Sequence, residues 1–336
     1  MRTRYCKVDP RCPDAATVEC AAGYLRRGQL VAFPTETVYG LGALATDEKA
    51  VKQIFVAKGR PPEKPLIVHV SSREQVYPLV REIPEEAARL MEVFWPGPLT
   101  LVMEASDAVP QVVRGYGSTV GVRMPAHPVA LALIERAGPL AAPSANLSGR
   151  PSPTCAAHVR DDLEGRIAVI LDGGDTFTGV ESTVLDVSRR PFRILRPGAI
   201  PREQLEQVVP GSIEAAPSHA LVRQTRPSTA MKVILLTDKP GDTSCAAVQA
   251  GEARGVAMAV HSDTWLDWAN RLAVPVFRMD PDPVVAGVQW FGILREAESR
   301  GIETLLVEPY PEEGAGTALM ERVRRCAGVD TDEVKA

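Results

Sequence analysis

The chain has 336 residues, room for about two domains at the usual ~100–200 residues each. Hydrophobic residues make up 45% and charged residues 24%, and 38 basic against 42 acidic side chains leave a net charge of −4. A generic polyanion-binding surface is thereby excluded, and any cationic site has to be a local cluster.

No apolar stretch approaches the ~18 residues that cross a bilayer, and no apolar core follows the first basic residues. A cytoplasmic protein with no membrane partner is expected. The 29 prolines stand at the ends of apolar runs, which predicts many short, sharply turned connections. None of the six cysteines forms a C-x-x-C pair, and the five histidines lack metal-ligand spacing. Reduced structural thiols and no protein-held metal are expected.

Across residues 12–207, apolar runs at 30–33, 66–70, 99–103, 120–124, 167–171, 183–187 and 192–195 predict strands. Segments 13–27, 48–57, 84–95, 128–137 and 201–208 predict helices, with Asp47 as an N-cap. An α/β domain follows, a mixed twisted sheet with flanking helices. Residues 208–230 have no sustained period and three prolines within 210–228, the pattern of an interdomain linker. From 231 to 328, strand-like runs at 233–236, 255–260, 274–277 and 304–307 alternate with amphipathic segments at 243–251, 264–272, 284–300 and 316–327. That alternation predicts a smaller, doubly wound, Rossmann-like parallel sheet. On the 284–300 helix, Val285, Val288, Phe291, Gly292 and Arg295 lie near one stripe, read as core packing.

The chemistry concentrates in turns at strand ends. Pro34-Thr-Glu-Thr-Val-Tyr-Gly-Leu-Gly42 offers two hydroxyls and a carboxylate before two glycines that let backbone approach a ligand. Lys58, Arg60 and Lys64 follow within seven residues, just before His69. Such a run is either a solvated face or a phosphate clamp, and Pro61, Pro62 and Pro65 fix where its charges point. Ser118-Thr-Val-Gly-Val-Arg-Met-Pro125, Ala142-Pro-Ser-Ala-Asn-Leu-Ser-Gly149, Asp172-Gly-Gly174, Gly179-Val-Glu-Ser-Thr-Val184 and Arg196-Pro-Gly198 repeat the theme. Each taken singly is an ordinary turn. Converging at strand ends they make a pocket suited to a nucleoside triphosphate and a small carboxylate. Neither a P-loop nor a G-x-G-x-x-G fingerprint is present.

In order, these motifs resemble the YrdC/YciO family, in the long two-domain form of threonylcarbamoyl-AMP synthase. Trp95-Pro-Gly-Pro-Leu-Thr100 and Glu181-Ser-Thr183 add to the match, which spans residues 12–207. The C-terminal half is similar to the second domain of that form and ends in Glu312-Glu-Gly-x-Gly-x-Ala-Leu-Met320. The resemblance implies a YrdC-like fold and an enzyme that joins L-threonine, bicarbonate and ATP into threonylcarbamoyl-AMP and pyrophosphate, with Mg²⁺ accompanying ATP. A tRNA threonylcarbamoyl transferase complex would then modify the adenosine at tRNA position 37. It further implies that Thr37, His69, Arg123, Ser144 and Ser182 hold L-threonine, with Arg123 on its carboxylate. Arg60, Lys64, Thr119, Asn146, Thr154 and Arg196 would hold ATP, and Lys58 with Arg60 would act in catalysis near its phosphates.

Two positions depart from the family. The linker Ala216-Pro-Ser-His-Ala-Leu-Val-Arg-Gln-Thr-Arg-Pro227 lacks the aromatic residues and lysine usual in long-form chains, and Glu321 stands where asparagine is common. Two rival functions are a carbamoyltransferase of a specialised pathway and a non-catalytic RNA-binding module. The net acidic charge and 5% aromatic content oppose more than a weak RNA contact, and 336 residues leave no room for extra transferase domains.

Overall fold

The computed structural model describes residues 2–214, 231–236 and 255–328. It divides into two compact units, Met1–Ser148 with Ser152–Ala216, and Gly149–Pro151 with Pro217–Ala336.

In chain order the first unit contains β1 (Arg4–Lys7), α1 (Ala15–Arg26), β2 (Val31–Phe33), β3 (Gly40–Leu44), α2 (Glu48–Lys58), β4 (Ile67–His69), α3 (Glu85–Phe94) and β5 (Leu99–Glu104). It continues with β6 (Thr119–Arg123), α4 (Pro128–Ala137), β7 (Leu140–Ala141), α5 (Ala156–Leu163), β8 (Val169–Asp172), β9 (Thr183–Asp186), β10 (Arg193–Arg196) and α6 (Arg202–Val208). Ten strands form one mixed sheet in the order β1-β8-β2-β3-β7-β4-β6-β5-β9-β10. β2 shows why both faces are covered: Val31 and Phe33 enter one core with α1 and α4, while Ala32 enters the other with α2 and α3.

All seven strands and five helices expected in this unit are present, with ends that agree to within two residues. Three strands and one helix were not expected. β1 precedes residue 12 and pairs with β8 in parallel, β3 is glycine-rich, β7 has only two residues, and α5 lies in a segment for which no element is expected. Short or edge strands leave little periodicity to read.

The second unit contains β11 (Lys232–Leu235), β12 (Val256–Val260), α7 (Asp263–Arg271), β13 (Val276–Arg278), α8 (Pro283–Ser299), β14 (Thr304–Val307) and α9 (Ala315–Ala327). Among the described residues its four strands are all parallel, in the order β11-β14-β12-β13, as a doubly wound sheet requires. The α8 stripe needs correction. Phe291 and Arg295 are buried as expected, but Val285 is exposed, Val288 and Gly292 are half-buried, and the buried face also takes in Ala286, Trp290, Ile293, Leu294 and Ala297. Apolar side chains occur around most of this helix, so spacing alone left its rotation undetermined. Glu321 is buried and ion-paired with Arg325 one turn on. The 243–251 helix and the divergent linker stretch 216–227 lie outside the described residues. Among the described residues no helix is long and apolar enough to cross a membrane.

Candidate active site

The site is built where strand ends of the first unit meet. β4 and β6 run parallel with His69 directly beside Arg123, so both side chains leave the sheet at the same level. β7 continues past β4 into 142–144, where Ala142 N–H donates to the Ile67 carbonyl at 2.9 Å. Leu41 N–H to the Pro143 carbonyl at 2.8 Å and Ala145 N–H to the Tyr39 carbonyl at 2.8 Å clamp that segment to the 37–42 turn. From the other side, Thr183 N–H donates to the Pro98 carbonyl at 3.0 Å, which places Ser182 beside β5.

These elements enclose a cavity with about 690 Å³ of empty space, its open mouth included. Thr37, Arg60, His69, Arg123, Ser144, Ser182 and Arg196 all line it. Three arginines from distant parts of the chain therefore face one space, the condition on which the nucleotide-plus-carboxylate reading depended.

Lys64, Thr119, Asn146, Thr154 and Lys58 are not among the lining residues. Thr119 begins β6, four residues before Arg123, which puts it roughly 13 Å away along the strand. Thr154 is buried, with its hydroxyl 3.4 Å from His158 Nδ1. Lys64 is half-buried. Lys58 is buried, and its ammonium donates to the carbonyls of Ser144 at 2.5 Å and Asn146 at 2.6 Å. It thus ties α2 to the turn that presents Ser144. Gly59, in the left-handed region at φ 60°, reverses the chain directly after Lys58, so that Lys58 points inward and Arg60 reaches the cavity.

Electrostatics follow from burial. The Lys58 ammonium is pushed down to about 7 by burial and by the neighbouring Arg60 charge. Burial lowers the Arg60 guanidinium to about 10, and Arg60 donates to the Pro65 carbonyl at 3.1 Å. Burial and the adjacent Arg123 push His69 down to about 3, so it meets a ligand as a neutral imidazole. Arg123 Nε donates to the Gly97 carbonyl at 3.3 Å, and Gly97 N–H bonds the Met124 carbonyl at 2.8 Å. The Trp95–Thr100 motif thus acts as a brace for Arg123. Its Nη2 donates to Thr37 Oγ1 at 3.0 Å and stands 2.7 Å from Glu36 Oε1.

Sequence reasoning left two carboxylates out of the site, Glu36 against Arg123 and Glu181 on the cavity wall. Both lie inside the quoted motifs, flanked by residues that were selected, and that position was the available signal. Among the described residues no cluster of three or more metal-ligating side chains exists. Glu181 is the one carboxylate among the residues that line the cavity.

A protein-family model for Sua5, YciO and YrdC, described as "Telomere recombination", matches residues 23–198, and one described as "Threonylcarbamoyl-AMP synthase, C-terminal domain" matches residues 200–328. The threonylcarbamoyl-AMP synthase of Pyrococcus abyssi is 44% identical over 93% of this chain and 94% of its own length. That of Bacillus subtilis is 41% identical over 92% of each. A crystal structure of P. abyssi Sua5 complexed with L-threonine superposes with a TM-score of 0.88 at 42% identity, covering 98% of both chains. The chain belongs to the Sua5/YciO/YrdC family, in the two-domain form that carries the synthase's C-terminal domain.

Proposed function

We propose that this protein is a threonylcarbamoyl-AMP synthase, forming threonylcarbamoyl-AMP and pyrophosphate from L-threonine, bicarbonate and ATP in the cytoplasm. A single observation carries the reading. All five residues of the expected threonine set line one cavity together with Arg60 and Arg196, and a relative similar over its full length binds L-threonine.

The threonine amine, once it loses a proton, attacks the carbon of bicarbonate to give a carbamate and water. A carbamate oxygen then attacks the α-phosphorus of ATP, and the bond to pyrophosphate breaks. Carbamate, carboxylate and triphosphate repel one another, so the work of the protein is to gather them. Arg123 takes the carboxylate, neutral His69 and the hydroxyls of Thr37 and Ser182 surround the amino acid, and Arg60 with Arg196 offsets phosphate charge. Mg²⁺ bound to ATP would add positive charge at the phosphates. No nucleophilic side chain is required. Lys58 contributes by holding the Ser144–Asn146 turn. The product would pass to a tRNA threonylcarbamoyl transferase complex.

The deciding experiment is pyrophosphate release from ATP, which is expected only when L-threonine and bicarbonate are both present. Release with neither, or dependence on carbamoyl phosphate, would overturn the proposal, and so would tight RNA binding without turnover.

A further inference from the structure

Glu36 is a buried carboxylate, 6% exposed, that the chemistry above does not use. Neither oxygen has a hydrogen-bond partner among the described residues. What holds the side chain there is charge, because Oε1 lies 2.7 Å from Arg123 Nη2 and Arg123 is itself only 4% exposed. An ionised carboxylate taken out of water is costly unless a cation compensates it, and in this pair each ion compensates the other. The arginine is held on three sides, by the Gly97 carbonyl at Nε and by Thr37 and Glu36 at Nη2. Its Nη1 makes no hydrogen bond with the described protein, while the residue lines the cavity. The fork therefore offers a ligand its Nη1 side, and its charge is already matched from behind.

That arrangement bears on selectivity. The cavity holds Arg60, Arg123 and Arg196, and a synthase of this kind works in the presence of bicarbonate and phosphates. An uncompensated arginine would attract any small anion. An amino acid differs from those anions in being a zwitterion, and a zwitterion is matched by a pair of opposite charges rather than by one.

We propose that Glu36 is the positioning and specificity-determining residue of the amino-acid subsite. Through Arg123, and without lining the cavity, it turns an anion site into a zwitterion site that favours the α-amino acid over simple carboxylates. The inference rests on the threonine reading above and extends it.

The test compares binding of L-threonine with binding of its hydroxy-acid analogue, in which a hydroxyl replaces the amine, by calorimetry on the full chain. The native protein is expected to prefer L-threonine by at least about tenfold, the scale of one close charge interaction in a partly screened site. Glu36→Gln, equal in size but uncharged, is expected to lose most of that preference. Glu36→Asp, which keeps the charge, should retain it to within about threefold. Melting temperatures establish that each variant is folded, and if the Gln variant is not, the Asp variant and the native preference decide. A purely structural role would weaken both ligands alike and leave the ratio unchanged, which would overturn the inference. So would native protein that binds the hydroxy acid as tightly as L-threonine, or an Asp variant without the preference. Native protein that binds no L-threonine at all would defeat the threonine reading together with this one, whereas an unchanged ratio in Glu36→Gln would defeat only the role of Glu36.

Discussion

Arg196 closes on Ser182 at three points. Its Nη2 donates to the Ser182 carbonyl at 2.8 Å and to the hydroxyl at 3.0 Å, and its Nε donates to the same carbonyl at 3.1 Å. Ser182 Oγ also lies 2.8 Å from Thr100 Oγ1. The last residue of β10 thereby fixes the residue just before β9, and one cavity hydroxyl is oriented by a planar fork that lysine cannot reproduce. Arg196→Lys is expected to lower kcat/KM for L-threonine at least about tenfold with little change in melting temperature. Steady-state pyrophosphate release checks it, and unaltered kinetics would separate the fork from the chemistry.

The Arg196–Ser182 contact leaves no space at Gly198. A Cβ there would stand 2.3 Å from the Thr183 nitrogen and 2.4 Å from the Ser182 carbonyl carbon, both backbone atoms that cannot swing aside. Gly198→Ala should cost about 2 kcal/mol in chemical denaturation and weaken L-threonine binding as Ser182 shifts. A variant that keeps native stability and affinity would show that the turn has room to move.

Two buried imidazoles make stability depend on pH. Burial, aided by Arg123, holds His69 down to about 3, and burial holds His127 down to about 4, against 6.5 for the free group. Between about pH 6.5 and 4 the unfolded chain binds more protons at these two sites than the folded one. Their contribution is therefore complete above pH 6.5 and drains away as pH falls, at up to ~1.4 kcal/mol per pH unit for each histidine. His127 Nδ1 also accepts the Val129 N–H at 3.2 Å at the start of α4, a bond that protonation removes. Denaturation curves across this window should flatten when either histidine is replaced by glutamine.

Lys58 titrates in the working range. With its folded value pushed down to about 7, the ammonium that grips the Ser144 and Asn146 carbonyls loses its proton as pH rises through 7. Turnover should fall on that limb with an apparent pKa near 7. Lys58→Met should lower activity at least about a hundredfold and abolish the limb. A limb that persists in Lys58→Met would assign it to another group.

Catalysis by positioning and charge predicts which residues matter. Arg60→Ala should reduce pyrophosphate release by about a hundredfold or more. Cys12→Ala and Cys20→Ala, both at exposed free thiols, should leave it within twofold or so of native. A comparable loss from either cysteine variant would point to a nucleophile that the charge-based mechanism does not contain.

Much of this is legible in the sequence. Caps and apolar runs announced α2 and its Asp47 cap, and the strands whose ends carry His69, Arg123 and Ser182, because local propensity and burial pattern act over a few residues. The ordered motifs marked the turns where chemistry gathers. What sequence left open has a common physical cause, which is dependence on partners far along the chain. β1 exists because β8 offers it an edge, and the two residues of β7 are strand because β3 and β4 flank them. The core face of α8 is chosen by what it packs against.

The sequence by itself determined the inventory of charges, hydroxyls and glycines at strand ends, and the family that such an ordered set defines. Only the tertiary structure decided which cations face the cavity. Arg60, Arg123 and Arg196 do, while Lys58, drawn from the same short run as Arg60, turns inward to hold a loop. Only the tertiary structure also revealed that Glu36 sits against Arg123. A side chain's direction and its neutralising partner are set by burial and by contacts across the sheet, and these exist only once the sheet has closed.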